Sequence, residues 1–319
     1  MKKIILLFVW LTTVCAWGAE PLMLVNPGRE TFVNFPSAIL PDKAVTVFLP
    51  EPAVPLHQKY PVVYLLGVWP KDAKAAQEVL DRSAQKAILV GVNVEEADLK
   101  DVNKIVSFFT KELIPYIDTN YPTKDEPAER AIAAQGAAGT RVLSALLARK
   151  QLFARAFAAN GGIQPVSFAG SDKKSRILAT GSHAELNAIW QTLQEMGRVY
   201  GSQVALKIKE GASLLGDLNL DYLFAPAEEL SVVKIEGEVK PKIIFITPEE
   251  KAVVEVRAVL RNGMQYDYIP QELHIAPPYL EWNATEGILH PIAGAMAGKV
   301  KISAFVDKLR FNAKIRLKK

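Results

Sequence analysis

The chain has 319 residues, one cysteine and a formal net charge of +4, with 50% hydrophobic and 23% charged residues. That balance excludes a disordered chain and carries no basic excess of the kind nucleic acid selects. A lone cysteine excludes an internal disulfide framework.

The first residues have the form of an export signal. Lys2 and Lys3 supply the positive region, Ile4 to Val14 the apolar stretch, and Ala16-Trp17-Gly18 the small residues before a cut after Gly18. The apolar run is short for a bilayer span. Val14 stands where a lipoprotein signal wants a small residue, so Cys15 is not read as a lipid anchor. Removing residues 1–18 takes away Cys15, Lys2 and Lys3, and the charge falls from +4 to +2. The expectation is a cysteine-free bacterial protein of the periplasm or exterior, with no stable membrane span after cleavage. Its remaining length of about 300 residues exceeds one ordinary core, which predicts two domains, 19–230 and 231–319.

In chain order, Ala44 to Leu49 reads as a strand and Pro50 to His57 as a turn. Tyr60 to Leu66 and Ala87 to Val94 are near-continuous apolar runs, as in strands buried on both faces. Helical patterns cover Ala73 to Ser83 and Val102 to Ile117, the latter with Ile105, Phe108, Phe109, Leu113 and Ile114 along one side. Further strands are expected at Ala131 to Ala133, Ala154 to Ala159 (before Asn160-Gly161-Gly162), Arg176 to Thr180 and Val204 to Ile208. Helices are expected at Thr140 to Lys150, Leu186 to Gly197 and Leu218 to Phe224. Such alternation predicts an α/β fold with a mostly parallel sheet covered on both faces.

The phrases TVFLP, YPVVYLL, FFTKELIPYIDTNYPT, RAIAAQGAAG and FARAFAANGGI, spread between Val45 and Phe224, resemble the esterase D/feruloyl esterase branch of the α/β-hydrolases, the "putative esterase" group. The resemblance implies an α/β-hydrolase fold and an esterase acting through Ser, His and an acidic residue. Where that group carries its nucleophile elbow, this chain reads Ala134-Gln135-Gly136-Ala137-Ala138-Gly139, so Gly136 takes the serine position. Gly67, Val68 and Trp69 replace a His-Gly pair that helps shape the oxyanion site. Glu185 is the acidic candidate in the loop Gly181 to Glu185, and Ser213 stands at the histidine position. Without nucleophile and base the covalent route is closed. The resulting expectation is a non-catalytic, exported binding or assembly component of the envelope or exterior, with an envelope or extracellular protein as partner.

Two alternatives stay open. One is a carboxylic-ester or carbohydrate-ester hydrolase with relocated groups, drawn from His183, Ser182, Glu185 and Ser213. The other is a carbohydrate or small ligand held in a pocket of Gly67, Trp69, Gln135, Gly136 and His183. Gly136 to Gly139 could also receive an anion at a helix N-terminus. Asp217 and Asp221, four apart, read as a solvated helix face. Trp190 reads as core. His57, His183, His274 and His290 are scattered, so neither metal nor cofactor is expected.

After Pro226, strands are expected at Lys242 to Ile246, Val253 to Leu260, Leu273 to Ile275, Lys299 to Phe305 and Phe311 to Leu317. In the last, Phe311, Ala313, Ile315 and Leu317 point inward and Asn312, Lys314, Arg316 and Lys318 outward. Asn262-Gly263 is a hairpin signal. The order VVEVRAVLRNG, LEWNATEGILHPIAG, GKVKISAFVDKLRFNAKIRLK resembles bacterial Ig-like domains. That implies a small all-β sandwich, with Trp282 in its core and Gly287 and Gly294 in turns.

Overall fold

The structure is a computed structural model that describes residues 29–50, 58–149, 151–161 and 175–319. The export signal with Cys15, the turn residues up to His57, Lys150 and Gly162 lie outside the described residues. Among those described, no helix is long and apolar enough to cross a membrane.

The first unit is built on an eight-stranded sheet ordered β1-β2-β4-β3-β5-β6-β7-β8. Strand β1 (Arg29–Phe32) runs antiparallel to β2 (Val45–Phe48), which runs antiparallel to β4 (Ile88–Val92). From β4 onward the pairings through β3 (Val62–Leu66), β5 (Arg130–Gln135), β6 (Arg155–Ala159), β7 (Arg176–Gly181) and β8 (Val204–Ile208) are all parallel. The sheet is therefore mixed, and β1 was not foreseen: RETF is four residues with two charges, too short for a period to show. Strands β3 and β4 are buried at every position, as their unbroken apolar runs required.

Helix α1 (Ala73–Arg82) follows β3. Next come α2 (Val102–Phe108), a π-helical turn at Phe109–Leu113 and α3 (Ile114–Asn120), a continuous helical segment whose predicted apolar stripe is buried throughout. Phe109 meets Tyr64 edge to face at 5.7 Å, and Tyr64 meets Phe153 at the same distance, tying this helix to the central strand. Helix α4 (Gly136–Leu147) begins at Gly136 itself, four residues before the predicted start. Gly139 allows that early start, since a β-carbon there would lie 3.2 Å from the Ala134 β-carbon. Helix α5 (His183–Glu195) also starts early, turning the expected loop into a capped first turn. The predicted helix 218–224 forms as α7 (Leu220–Phe224), and a short helix not foreseen, α6 (Leu214–Asp217), precedes it, the two separated where Leu218 leaves the helical region at ψ 125°. Asp217 and Asp221 thus do not share a helix face.

The remaining strands form two further sheets. One is ordered β10 (Ile243–Phe245), β17 (Leu309–Lys318), β16 (Gly298–Val306), β13 (His274–Ala276). The other contains β12 (Gln265–Asp267), β11 (Ala252–Leu260), β15 (Ile288–Pro291) and β14 (Leu280–Asn283), with β9 (Val232–Lys240) also pairing β11. The alternation expected along β17 holds, with Phe311, Ile315 and Leu317 buried and their neighbours exposed. The Asn262-Gly263 turn joins β11 to β12, with Gly263 at φ 87°. Strand β9 was not foreseen, and Gly237 stands in its middle. In the structure Gly237 is required, because a β-carbon would collide with the Glu255 carbonyl and press on the Phe311 ring. Trp282 is only half-buried and donates to the Pro270 carbonyl at 3.1 Å.

The two parts meet at β8. Trp190, Tyr200 and Tyr268 form a triangle of edge-to-face contacts at 5.2 to 6.1 Å, so Trp190 is core, as expected. The Tyr200 hydroxyl donates to the Asp267 carbonyl, and the Asp267 carboxylate accepts from the Ile208 N–H at 2.7 Å. That last bond occupies a donor on the outermost strand of the sheet, a group an open edge would leave exposed.

Burial raises the Asp267 pKa above its ordinary 3.8, with the Ile208 N–H and Arg257 opposing only in part. A raised carboxyl contributes stability that is complete below pH 3.8 and is lost as pH rises through the folded value. Asp267→Asn keeps an oxygen for Ile208 and removes the charge. Its melting temperature at pH 7 is expected to match or exceed the parent's. Its stability should also change less with pH from 3.8 up to the raised value, which thermal melts across that range would check.

Candidate active site

Strand β5 ends at Gln135 and α4 starts at once, so the chain reverses at Gly136 with φ 72°. Only glycine takes that angle without strain. A β-carbon at Gly136 would meet nothing within 4 Å, so the turn opens onto free space. The backbone of an elbow is present and its side chain is not.

Neighbouring segments close around this turn. The Thr140 hydroxyl donates to the Gly136 carbonyl at 2.9 Å. Gly161, just past β6, packs so near that a β-carbon would lie 2.7 Å from the Gly136 carbonyl oxygen. Asn160, at φ 46°, donates its backbone N–H to the Thr180 carbonyl at 2.8 Å and its side-chain amide to the Ala212 carbonyl. The Gln135 side-chain oxygen accepts from the Leu214 N–H at 3.0 Å, leaving α4 without a side-chain cap. Two amides therefore hold the loop after β8 against the elbow. Asn160 was passed over in the sequence, where Asn-Gly-Gly signals only a turn.

Ser213 lies on that loop. It is exposed and caps α6, its hydroxyl accepting from Gly216 N–H at 3.1 Å and its own N–H donating to Asp217 at 2.9 Å. Asp217 is the opposite of the solvated residue expected: its side chain is 1% exposed and holds Lys209 at 2.9 Å and Lys207 at 3.6 Å. Burial alone would raise its pKa. The bonds from Lys209 and the Ser213 backbone, with both lysine charges, outweigh burial and hold it below the usual carboxylate value.

Glu185 and His183 occupy the first turn of α5. Glu185 accepts from the N–H and hydroxyl of Ser182, both at 3.0 Å, while Ser182 caps the helix in return. This capping box explains the early helix start. His183 Nδ1 lies 3.0 Å from the Thr285 carbonyl, so it carries the proton. The ring also abuts Gly287, at φ 72°, where a β-carbon would lie 2.6 Å from Nε2. His183 thus packs on the β14–β15 turn, and the structure does not join it to Ser213 and Glu185 as a catalytic group.

Gly67, at φ 78°, follows β3, which neighbours β5, so it stands at the same end of the sheet as Gly136. Trp69 is half-buried; its N–H donates to Asp72 at 2.9 Å, and Lys71 sits 5.5 Å from the ring centre. Among the described residues no cluster of His, Cys, Asp and Glu could hold a metal ion.

Residues 37–213, more than half of the chain, match the family described as "Putative esterase". No curated protein matches. Among solved structures, a ferulic acid esterase from the anaerobic fungus Anaeromyces mucronatus is 17% identical over 62% of this chain and 87% of its own, with a TM-score of 0.46. An IroE-like serine hydrolase from Shewanella oneidensis is 16% identical over 57% and 73%, TM-score 0.45. An S-formylglutathione hydrolase from Staphylococcus aureus is 12% identical over 57% and 91%, TM-score 0.41. The family match corrects the expectation of a non-catalytic envelope component, because a family defined by ester chemistry points to hydrolysis. This chain belongs to the putative esterase family.

Proposed function

We propose that the chain hydrolyses carboxylic esters by direct attack of water, without an acyl-enzyme at the elbow. The observation that carries the reading is the elbow inside the matched segment: Gly136 at φ 72°, open space where a side chain would stand, and a helix start that Gln135 does not cap. The first N–H groups of such a helix have no intrahelical partner and lie at the positive end of its dipole. They suit the oxygen of an ester carbonyl as it gains negative charge. Water adds to the carbonyl carbon, the tetrahedral oxyanion is held by those donors, and collapse breaks the C–O bond. A proton from the attacking water ends on the departing alkoxide, giving a carboxylic acid and an alcohol. Donors of this kind, with no triad, still accelerate hydrolysis about 10³- to 10⁴-fold over water.

Two finer features belong to the same reading. The residues from about 231 onward would form an Ig-like sandwich, supported by the alternating burial of β11 and β17. The N-terminal signal would place the protein in the periplasm or outside the cell. The ester would lie at the end of the sheet that carries Gly67, Trp69, Gln135 and Gly136, over the open space at Gly136, with Glu185 and Ser213 as structural caps.

The test is hydrolysis of an aryl acetate and of an acetylated sugar. Turnover is expected about 10³-fold above the protein-free rate, linear from the first moment and untouched by a serine-directed phosphonate. Ala137→Pro removes one helix-start N–H at a position where proline is tolerated, and should cost about 10²-fold in rate. His183→Ala should leave the rate unchanged. Hydrolysis no faster than buffer, or a burst that labels Ser213, overturns the proposal.

A further inference from the structure

The two sheets beyond β8 differ in how their outer faces carry charge. On β9, β11 and β12 the exposed charges are mutually neutralised: Lys234 pairs with Glu236, Lys240 with Glu238 and Glu255, and Arg257 with Glu255 and Asp267. The outer face of the β10-β17-β16-β13 sheet is different. Register sets Lys299 opposite Arg316, Lys301 opposite Lys314, and Phe305 opposite Arg310, with Lys318 at the far end of β17. These six cations are exposed, and none pairs with a carboxylate among the described residues. No acidic residue occupies an outward position on these four strands. Six like charges repel one another, so the face is electrostatically unfavourable until something anionic covers it.

Apolar side chains stand at its margins. Ile243 and Phe245 on edge strand β10 are 44% and 48% exposed, opposite Arg316 and Lys318. Phe305, 50% exposed, lies under Arg310 at 5.4 Å. Phe305 and Phe245 face the two ends of the β17 segment from Arg310 to Lys318, roughly 27 Å apart at strand spacing. The cations form a field on the sheet, and the apolar groups sit at opposite corners of it.

We propose that this face docks on a bilayer surface rich in anionic phospholipid. Exposed cations gain from the negative headgroup layer, and the corner side chains gain by entering the boundary with the acyl chains. A hydrated soluble polyanion would satisfy the cations yet leave Ile243 and Phe245 in water, so the apolar corners favour the lipid surface. The inference is independent of the hydrolytic reading.

The test is sedimentation of the purified chain with vesicles of phosphatidylcholine alone, and of phosphatidylcholine with about a third phosphatidylglycerol. Partitioning onto the anionic vesicles should exceed that onto neutral ones about 100-fold at low salt, and should fall at least tenfold in about 0.5 M salt. The double change Lys301→Gln with Lys314→Gln should lower it about 10- to 30-fold, and the double change to Arg should preserve it. Ile243→Ser with Phe245→Ser, which leaves the charge untouched, should lower it about tenfold. Thermal melts establish that each variant is folded, and the salt series on the unaltered chain stands without any variant. Equal binding to neutral and anionic vesicles overturns the proposal. So does capture by a soluble sulfated polysaccharide or nucleic acid with no vesicle binding, or with binding indifferent to the Ile243 and Phe245 changes.

Discussion

Arg176→Ala is expected to lower stability by about 3 kcal/mol, seen as a fall of roughly 5–10 °C in the thermal midpoint with the spectrum of the native fold otherwise kept. Arg176 is the first residue of β7, at the end of the sheet opposite Gly136, and is buried. Its terminal nitrogen lies 2.8 Å from the carbonyls of Tyr222 and Leu223 and 2.9 Å from that of Ala225, while Nε donates to Ser202 at 3.2 Å. The guanidinium also lies 5.6 Å from the Tyr222 ring centre. Beside it on β6, Arg155 donates to Ala128 and Leu223. Burial pushes the Arg155 pKa down to about 10, with the neighbouring Arg176 charge adding to the effect. A buried and a half-buried cation thus serve carbonyls rather than carboxylates. Removing one fork strands several buried acceptors, each costing about 1–3 kcal/mol, against the relief of one desolvated charge. Arg176→Lys should recover only part of the loss, because an ammonium cannot reach four carbonyls from one plane. A midpoint unchanged by Arg176→Ala would show that the 222–225 segment is held by Tyr222 and Phe224 packing alone.

Gly201→Ala is expected to be more damaging, at about 4 kcal/mol or more, with loss of soluble protein on expression a second sign. Gly201 has φ 85°, and a β-carbon there would overlap the Leu230 carbonyl and lie 3.1 Å from Leu260 and Val232. The blocking atom is backbone in the connection from α7 to β9, so it has no rotamer through which to withdraw. Gly197 supplies the control. It has φ 71° and a β-carbon there meets nothing within 4 Å, so Gly197→Ala should cost only the conformational term, about 1 kcal/mol. Paired denaturant titrations separate strain from collision, and equal losses at the two sites would refute the collision argument. Gly136 belongs with Gly197: it too has φ 72° and open space, so Gly136→Ser is structurally affordable at a similar cost. It creates no acyl-enzyme, because the loop after β8 offers Ser213 where a base is needed.

Short apolar runs between turn signals were enough for the central strands β3, β4, β5 and β7, which the sheet buries on both faces. Alternation was likewise enough for the face of β17, and the Asn262-Gly263 turn signal for its hairpin. The family phrases brought the chain to its esterase relatives and to Gly136. They did not license the step from a missing serine to a protein without chemistry, which the family match corrects.

Other features depended on atoms far apart in the chain. His183 reaches Thr285 across 102 residues, Gln135 reaches Leu214 across 79 and Asn160 reaches Ala212 across 52, while Asp217 takes its lysines from the end of β8; no local period announces any of these contacts. The same holds for Gly237 inside β9, where glycine is required only because the Glu255 carbonyl and Phe311 ring are beside it. Sequence by itself determined the central β/α alternation, because that rests on near-neighbour apolar runs, and the family resemblance put Gly136 at the elbow; the order of strands in the sheet and the strands β1 and β9 came only with the structure. Only the tertiary structure decided which polar side chains are caps, which are ion pairs and which cations share one uncovered face. Those roles are set by partners that folding, not proximity in sequence, brings within reach.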